Sequence, residues 1–158
     1  RDEKVLNWIK KMDLITEKTV SVCTGSIILA STGVLKNKKA TSHWKAVNML
    51  TQFEANPVRE RIVSVDKYIT AAGVSAGIDM ALFLVNELKG EKAAKAAQLS
   101  IEYDPNPMFN SGNYLNAEQD VIKLSEEIME NDAKKDLSLW GILVNARTLL
   151  KLKNNTDK

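Results

Sequence analysis

The length and composition of the chain point to one globular domain. Its 158 residues are 44% hydrophobic and 27% charged, which is ordinary for a soluble protein with a core of its own. The net charge of +2 is too mild to indicate a nucleic-acid surface. No run approaches the roughly 18 apolar residues of a membrane span, and no secretory signal pattern is recognisable. One cysteine excludes an internal disulfide and suits a reducing, cytoplasmic setting.

The first part of the chain predicts alternating helices and short strands. The predicted elements are a helix over 2–12, a buried strand over 19–22, a helix over 25–32 stopped by Gly33, and an exposed connection over 33–41 into a short edge strand. The first helix has apolar residues on one face, with acids early and lysines late, as the helix dipole prefers. We expect it to pack on a sheet.

The second part continues the alternation. The predicted elements are a helix with Ser42 as N-cap and Val47, Leu50 and Phe53 on its inner face, strands over 61–65 and 68–71 joined as a hairpin at Asp66 and Lys67, and helices over 74–88, 91–103, 117–131 and 137–152. The helix over 74–88 is the most apolar, ends at Gly90, and is expected to be central. Strands alternating with helices indicate an α/β fold.

The alternation also suggests how the chain is divided. We predict an α/β domain over residues 1–110 and a helical extension over 111–158. The apolar faces of the extension need a partner, which is either the core or a second subunit.

The stretch from Val20 to Leu29 predicts a strand, a sharp turn and a helix, with Cys23 at the turn. N–H groups at a helix N-terminus stabilise a thiolate, which is the reactive form of cysteine. The N–H groups of Thr24 and Gly25 are then available to the negative charge that develops on a substrate after attack. A lone cysteine is more often a buried structural residue, but the turn favours a nucleophile.

Few other residues carry a chemical signal. His43 is the only histidine; a histidine at such a position is more often structural, yet it is the one candidate for a histidine partner of Cys23. The small residues Ser75, Ala76 and Gly77 permit close approach of a backbone or a ligand. The sequence contains no phosphate loop, nucleotide fingerprint or metal-ligand spacing, so neither a cofactor nor a metal is expected.

Four segments carry a resemblance to a known family. They are VCTG at 22–25, ATSHW at 40–44, GVSAGID at 73–79 and LSIEYDP at 99–105. Together they resemble the DJ-1/PfpI superfamily, which is related to class I glutamine amidotransferases, and within it the isonitrile hydratases. The resemblance covers residues 2–109. It implies a flavodoxin-like three-layer α/β sandwich with a cysteine at a nucleophile elbow, usually in a homodimer.

The resemblance also implies an activity on a small-molecule substrate. Isonitrile hydratases add water to an isocyanide and release an N-substituted formamide through a covalent cysteine thioimidate. Cys23 and Thr24 match the catalytic positions, with the N–H groups of Thr24 and Gly25 as oxyanion donors. Because proteolytic members have histidine where Thr24 stands, protease activity is not expected.

The remaining matched positions are supporting ones, and one part of the family pattern is missing. His43, Gly73 and Ser75 match residues that border the cysteine pocket. The family has an N-terminal portion with central strands, a Gly-Gly loop and an acidic residue that contacts the cysteine. Either this portion is a separate chain, or the numbering starts late, or this copy has lost a competent site. We expect a separate N-terminal segment that completes the domain, with the acidic partner of Cys23 located before Arg1.

Two other functions stay open. One is a DJ-1-type stress protein that converts α-oxoaldehydes, with reversible oxidation of Cys23. The other is a non-enzymatic ligand-sensing domain, as in AraC-type regulators. The stretch over 117–152 is too short for the paired helix-turn-helix units of those regulators, and neither a nucleic-acid nor a membrane partner is expected.

Overall fold

The computed structural model describes residues 2–134. Its regular elements are α1 (Glu3–Asp13), β1 (Thr19–Val22), α2 (Gly25–Ser31), β2 (Lys39–Ala40), a 3-10 helix (Val47–Phe53), β3 (Asn56–Pro57), β4 (Ile62–Val65), β5 (Tyr68–Ala71), α3 (Ala76–Lys89) and α4 (Glu91–Ser100). Residues 119–134 are also helical. This arrangement confirms the predicted α/β class. The helix predicted over 137–152 lies outside the described residues.

The main sheet consists of β1, β5 and β4, with β5 in the middle. β1 runs parallel to β5, with Val20 opposite Ile69, and β4 runs antiparallel to β5. The predicted hairpin is confirmed, and Asp66 in its turn has a φ of 56°, the left-handed conformation that two-residue hairpin turns favour. β2 and β3 form a separate parallel pair, which confirms the predicted short strand.

Two buried apolar clusters hold these elements together. The first joins α2 to the 3-10 helix and consists of Leu29, Ala30, Leu35, Ala40, Val47, Leu50 and Ala55. The second joins β5 to α3 and consists of Ile69, Ala71, Ala76 and Met80. Leu35 has no exposed surface, so the prediction of an exposed connection over 33–41 is wrong at this position. The only leucine in that polar stretch is drawn into the core because burying its side chain is favourable.

The segment after β2 departs from the prediction at Ser42. The 3-10 helix begins at Val47, with Ala46 in the N-cap position, so Ser42 is not the N-cap. Its hydroxyl donates instead to the carbonyl oxygen of Cys23. The predicted inner face is confirmed, since Val47 and Leu50 are buried and lie one turn apart in a 3-10 helix.

α1 is capped by Asp2, whose carboxylate accepts the Lys4 N–H at 2.9 Å. Leu6 is buried and Ile9 packs on the cluster that contains α2. α2 is the main neighbour of α1, and α1 meets the sheet at its last residue, where Asp13 bonds to Thr19 and Tyr68. Trp8 is 60% exposed, so much of the apolar face predicted for this helix is uncovered in the described chain.

Asp13 at the end of α1 ties this helix to the start of the sheet. Its carboxylate accepts hydrogen bonds from the hydroxyls of Thr19 at 2.7 Å and Tyr68 at 3.0 Å, and it pairs with Lys67 Nζ at 3.1 Å. Burial alone would raise the pKa of Asp13, but the donors outweigh it and hold the pKa below its usual value. Burial and the hydrogen bond to Asp13 raise the pKa of Tyr68 to about 12.

One edge of β1 has no partner strand within residues 2–134. Thr19 and Cys23 donate their N–H groups to residues of the β5 side, so strand alternation turns those of Val20 and Val22 toward the other edge. A groove of about 330 Å³ lies here between α1, β1 and α2, and its lining includes Trp8, Met12, Val20 and Ile28. Val20 is 40% exposed, although parallel strands are normally covered on both faces.

α3 confirms the predicted helix and its end. It stops at Gly90, whose φ of 83° is a conformation that glycine adopts readily. α3 lies against β5, as expected of a central helix, but its buried face is narrow, since Ala76 and Met80 are its only buried residues. α4 packs against α3 and has no buried residue.

The chain divides into two compact units, with the boundary between Pro105 and Asn106. The first unit contains both sheets and all the labelled helices. In the second unit the described structure is a loop followed by the helical residues 119–134. Across the described part of the chain, no helix combines the length and hydropathy that a membrane crossing requires.

We predict that Asp13→Asn lowers the free energy of unfolding by about 2 kcal/mol at about pH 7, because an amide replaces the acceptor of three hydrogen bonds, one of them to Lys67. The depressed pKa of Asp13 gives a stabilisation that is present above the unfolded value of about 3.9 and is lost as pH falls through the folded value. Urea unfolding of both proteins between about pH 7 and pH 3 should show the difference shrinking toward acid. A difference that stays constant would contradict this assignment.

Candidate active site

Cys23 lies at the sharp turn between β1 and α2. Its φ of 58° places a non-glycine residue in the left-handed region, which costs about 1–2 kcal/mol for an L-amino acid. Its N–H donates to the carbonyl oxygen of Ala71 at 3.0 Å, which continues the β1–β5 pairing up to the turn. The side chain is partly exposed. The strand, turn and helix predicted from Val20 to Leu29 are therefore present.

Thr24 and Gly25 stand at the start of α2. Thr24 occupies the N-cap position without a side-chain capping bond. The amides of Ser26 and Ile27 bond back to the carbonyls of Cys23 and Thr24, at 3.3 Å and 3.0 Å. The hydrogen bonds that close the turn are therefore made by the N–H groups of Ser26 and Ile27. The N–H groups of Thr24 and Gly25 come earlier, and the first N–H groups of a helix have no acceptor within the helix. This is the geometry in which Thr24 and Gly25 can serve as donors to an anion.

The segment after β2 meets the turn through Ser42 rather than His43. Ser42 Oγ lies 2.8 Å from the carbonyl oxygen of Cys23. His43 Nδ1 accepts the Lys45 N–H at 3.4 Å, and its ring lies 5.5 Å from that of Trp44. Burial, and next the charge of Lys45, lower the pKa of His43. Among residues 2–134 no hydrogen bond joins His43 to Cys23, so its partnership with the cysteine stays a prediction.

The turn between β5 and α3 lies beside the elbow. Gly77 packs on the end of β1, since a Cβ there would come within 3.2 Å of Val22 Cγ1. The close approach at the small residues is thus made by the Val22 side chain; the approach of a second backbone or a ligand stays a prediction. Gly73 has ordinary φ and open space around it, so no feature of its surroundings requires glycine. Ser75 is exposed and its hydroxyl lies 3.4 Å from Arg61 Nη2.

A polar network at the start of α3 was not predicted. Asp79 accepts the Tyr103 hydroxyl at 2.8 Å through Oδ1 and Arg61 Nε through Oδ2. The hydrogen bond to Asp79 raises the pKa of Tyr103. The network joins the segments over 73–79 and 99–105 that carried the resemblance. No local pattern could have revealed it, because its members are 18 and 24 residues apart.

Comparisons with other proteins agree with this geometry. The DJ-1/PfpI family pattern matches residues 1–87, which include Cys23, Thr24, His43 and Ser75. The chain therefore belongs to the DJ-1/PfpI family. It has the flavodoxin-like α/β fold that the resemblance implied.

Individual relatives extend the likeness beyond the matched region. An isonitrile hydratase from Pseudomonas putida is 38% identical over 85% of this chain and 64% of its own length. The crystal structure of a ThiJ/PfpI family protein from Pseudomonas syringae superposes with a TM-score of 0.78 and 40% identity, over 85% of this chain and 55% of the other. The transcriptional regulator CdhR of Pseudomonas aeruginosa is 30% identical over 57% of this chain and 27% of its own. This chain thus spans only part of each relative.

We predict that Cys23→Gly is more stable than Cys23→Ala by about 1 kcal/mol, because glycine adopts the left-handed conformation without the Cβ clash. Thr24, with a φ of −67°, is the matched control next in the chain. There the order should reverse, with Thr24→Ala more stable than Thr24→Gly. Thermal and urea unfolding of the four variants measure both differences, and the same order at both positions would contradict the strain at Cys23.

Proposed function

We propose that this chain carries the cysteine elbow of an isonitrile hydratase-like enzyme. The Cys23 thiolate attacks the terminal carbon of an isocyanide, R–N≡C, and that carbon takes up a proton to give a thioimidate, R–N=CH–S–Cys. Water then adds to the same carbon, its protons pass to nitrogen and solvent, and the C–S bond breaks to return the thiolate. The product is the N-substituted formamide, R–NH–CHO, so the net reaction consumes one water.

One observation carries this proposal. Cys23 is a partly exposed cysteine in a left-handed turn between a strand and a helix, and the chain that holds it is 38% identical to an isonitrile hydratase. A strained turn of this kind lifts a nucleophile out of the sheet and places helix N–H groups beside it. A structural cysteine has no need of that conformation.

The neighbours of Cys23 have separate roles in the proposal. The N–H groups of Thr24 and Gly25 stabilise the negative charge that develops on the substrate. Gly73 and Ser75 belong to the turn that borders the pocket. His43 is a supporting residue of the segment that presents Ser42 to the turn.

We also propose that a separate polypeptide segment covers the open edge of β1 and completes the pocket. The outward N–H groups of Val20 and Val22 and the apolar groove beside them fit a strand with apolar side chains. The same segment is the proposed source of the acid that delivers a proton to the substrate carbon. The greater length of the relatives is compatible with such a segment.

Hydrogen exchange of the β1 amides tests whether a strand covers the open edge of β1. In the assembled protein, the amides of Val20 and Val22 should exchange as slowly as those of Thr19 and Cys23, which bond to the β5 side. The Thr19 and Cys23 amides are the internal control because they belong to the same strand. Fast exchange confined to Val20 and Val22 in the assembled protein would contradict the proposal.

The exposed apolar residues and the reactive thiol also bear on the assembly and the cellular location of the protein. We propose a homodimer in which exposed apolar residues near the start of α3, such as Val74 and Ile78, are covered by the second copy. The reaction needs a reduced thiol, so we place the protein in a reducing compartment, the cytoplasm.

A second candidate function is a ligand-sensing domain without catalysis. The likeness to the transcriptional regulator CdhR over 57% of this chain supports it. A DJ-1-type activity on α-oxoaldehydes is the other enzymatic alternative, supported by 25% identity to an Arabidopsis thaliana DJ-1 homologue. Both use the same pocket, so substrate tests separate them.

We predict that the full chain, assembled with the segment that covers β1, converts a simple alkyl isocyanide to its formamide, followed by NMR. In the same assembly Cys23→Ala should lower the rate at least about 1,000-fold while the fold is retained, because the nucleophile is lost. Ser31→Ala, which removes a partly exposed hydroxyl bonded to the Ile28 carbonyl at the far end of α2, should keep the wild-type rate. Unchanged turnover in Cys23→Ala would eliminate the proposal. Methylglyoxal consumption without isocyanide turnover would select the DJ-1-type activity, and ligand binding without either turnover would select the sensor.

A further inference from the structure

Ser42 makes a contact that neither its sequence position nor the resemblance assigned. Its side chain is 2% exposed, and its hydroxyl donates to the carbonyl oxygen of Cys23 at 2.8 Å. That oxygen also accepts the Ser26 N–H at 3.3 Å. Both lone pairs of the Cys23 carbonyl are therefore used, one by the turn and one by a residue 19 positions away.

The carbonyl of Cys23 and the N–H of Thr24 belong to one planar peptide group. In a trans peptide the two bonds point in opposite directions, so fixing the carbonyl also fixes the direction of the Thr24 N–H. Cys23 is strained at a φ of 58°, and an unheld peptide there could rotate toward a relaxed conformation. Ser42 bonds to the carbonyl oxygen of this peptide group. It thereby fixes the direction of the Thr24 N–H, the proposed oxyanion donor, on the opposite side of the group.

The segment that presents Ser42 is itself held in place. The Thr41 N–H donates to Thr70 Oγ1 at 2.9 Å, inside the core, and both residues are 1% exposed. The Val58 N–H donates to the Ala40 carbonyl at 2.9 Å. With the backbone anchored on β5 and on the residue that follows β3, the Ser42 hydroxyl has a fixed position against the turn.

We propose that Ser42 is a positioning residue that holds the Cys23–Thr24 peptide so that the Thr24 N–H faces the charge that develops on the substrate. This role rests on the proposed function of Cys23. Loss of this positioning should affect the transition state more than substrate binding. The reason is that the hydrogen bond from the Thr24 N–H becomes stronger only as negative charge develops on the substrate.

Replacement of Ser42 by alanine and by threonine tests the role. Ser42→Ala removes the hydroxyl and should lower kcat about 10- to 100-fold with KM changed less than about threefold. Ser42→Thr keeps the hydroxyl and should recover kcat to within about threefold of wild type. The matched control is Thr32→Ala, which removes a buried hydroxyl bonded to the Leu29 carbonyl at 2.7 Å at the far end of α2. It should lose stability but keep kcat.

A second readout separates this proposal from the proposed function. The rate and pH profile of Cys23 alkylation by iodoacetamide, mapped by peptide mass spectrometry, should change in Ser42→Ala but not in Thr32→Ala. If the wild type alkylates but turns over no isocyanide, the proposed function fails and alkylation still decides the role of Ser42. Should Ser42→Ala not fold, Ser42→Cys keeps the shape of the side chain, slightly enlarged, with a weaker donor and should show a smaller loss in the same direction. Wild-type kcat and alkylation in the folded variant would overturn the proposal.

Discussion

The left-handed conformation of Cys23 is the constraint on which the site depends. The peptide groups before and after Cys23 are both held, since the Cys23 N–H bonds to Ala71 and the Cys23 carbonyl accepts from Ser26 and Ser42. Such a conformation costs about 1–2 kcal/mol and persists only where the surrounding structure over-determines it. Three hydrogen bonds from three separate parts of the chain supply that over-determination. The cysteine is thereby lifted to the end of the sheet with the start of α2 beside it.

The two ends of β1 are held by different interactions, a hydrogen-bonded carboxylate at the start and close side-chain packing at the end. At its start, a carboxylate with a depressed pKa joins α1 to β1 and β5 through Asp13, Thr19 and Tyr68. At its end, close packing of Gly77 on Val22 brings the first turn of α3 against the strand. The first arrangement is sensitive to acid, whereas the second has no charge. β1 is therefore anchored along its β5 side and at both ends, and its other edge carries the open groove.

Local patterns in the sequence predicted what local forces determine. The hairpin at Asp66 and Lys67, the end of α3 at Gly90 and the turn at Cys23 each follow from a few neighbouring residues, and the structure has all three. Ser42 was assigned to a helix cap because serine is common there; the distant carbonyl of Cys23 competes for its hydroxyl, and no nearby residue reveals that. The bonds of Asp79 to Arg61 and Tyr103 and the burial of Leu35 likewise depend on tertiary contacts.

In the candidate site, the residues that are adjacent in sequence could be predicted, whereas the contacts between distant residues could not. Cys23, Thr24 and Gly25 form one continuous stretch, so the sequence could place them together. The relation of His43 to this stretch depends on how the segment after β2 reaches the turn, and it is Ser42 that makes the contact. The open edge of β1 could be anticipated only from the family pattern, because an unpaired strand edge leaves no mark on the sequence of the strand itself.

The central claim is that Cys23 forms a covalent bond to the substrate carbon. Trapping the full chain with an alkyl isocyanide, followed by peptide mass spectrometry, tests it directly. The account predicts an added mass equal to that of the isocyanide on the peptide that contains Cys23, and none in Cys23→Ser at the same exposure. An adduct on another residue, or formamide produced at the wild-type rate by Cys23→Ser, would contradict it.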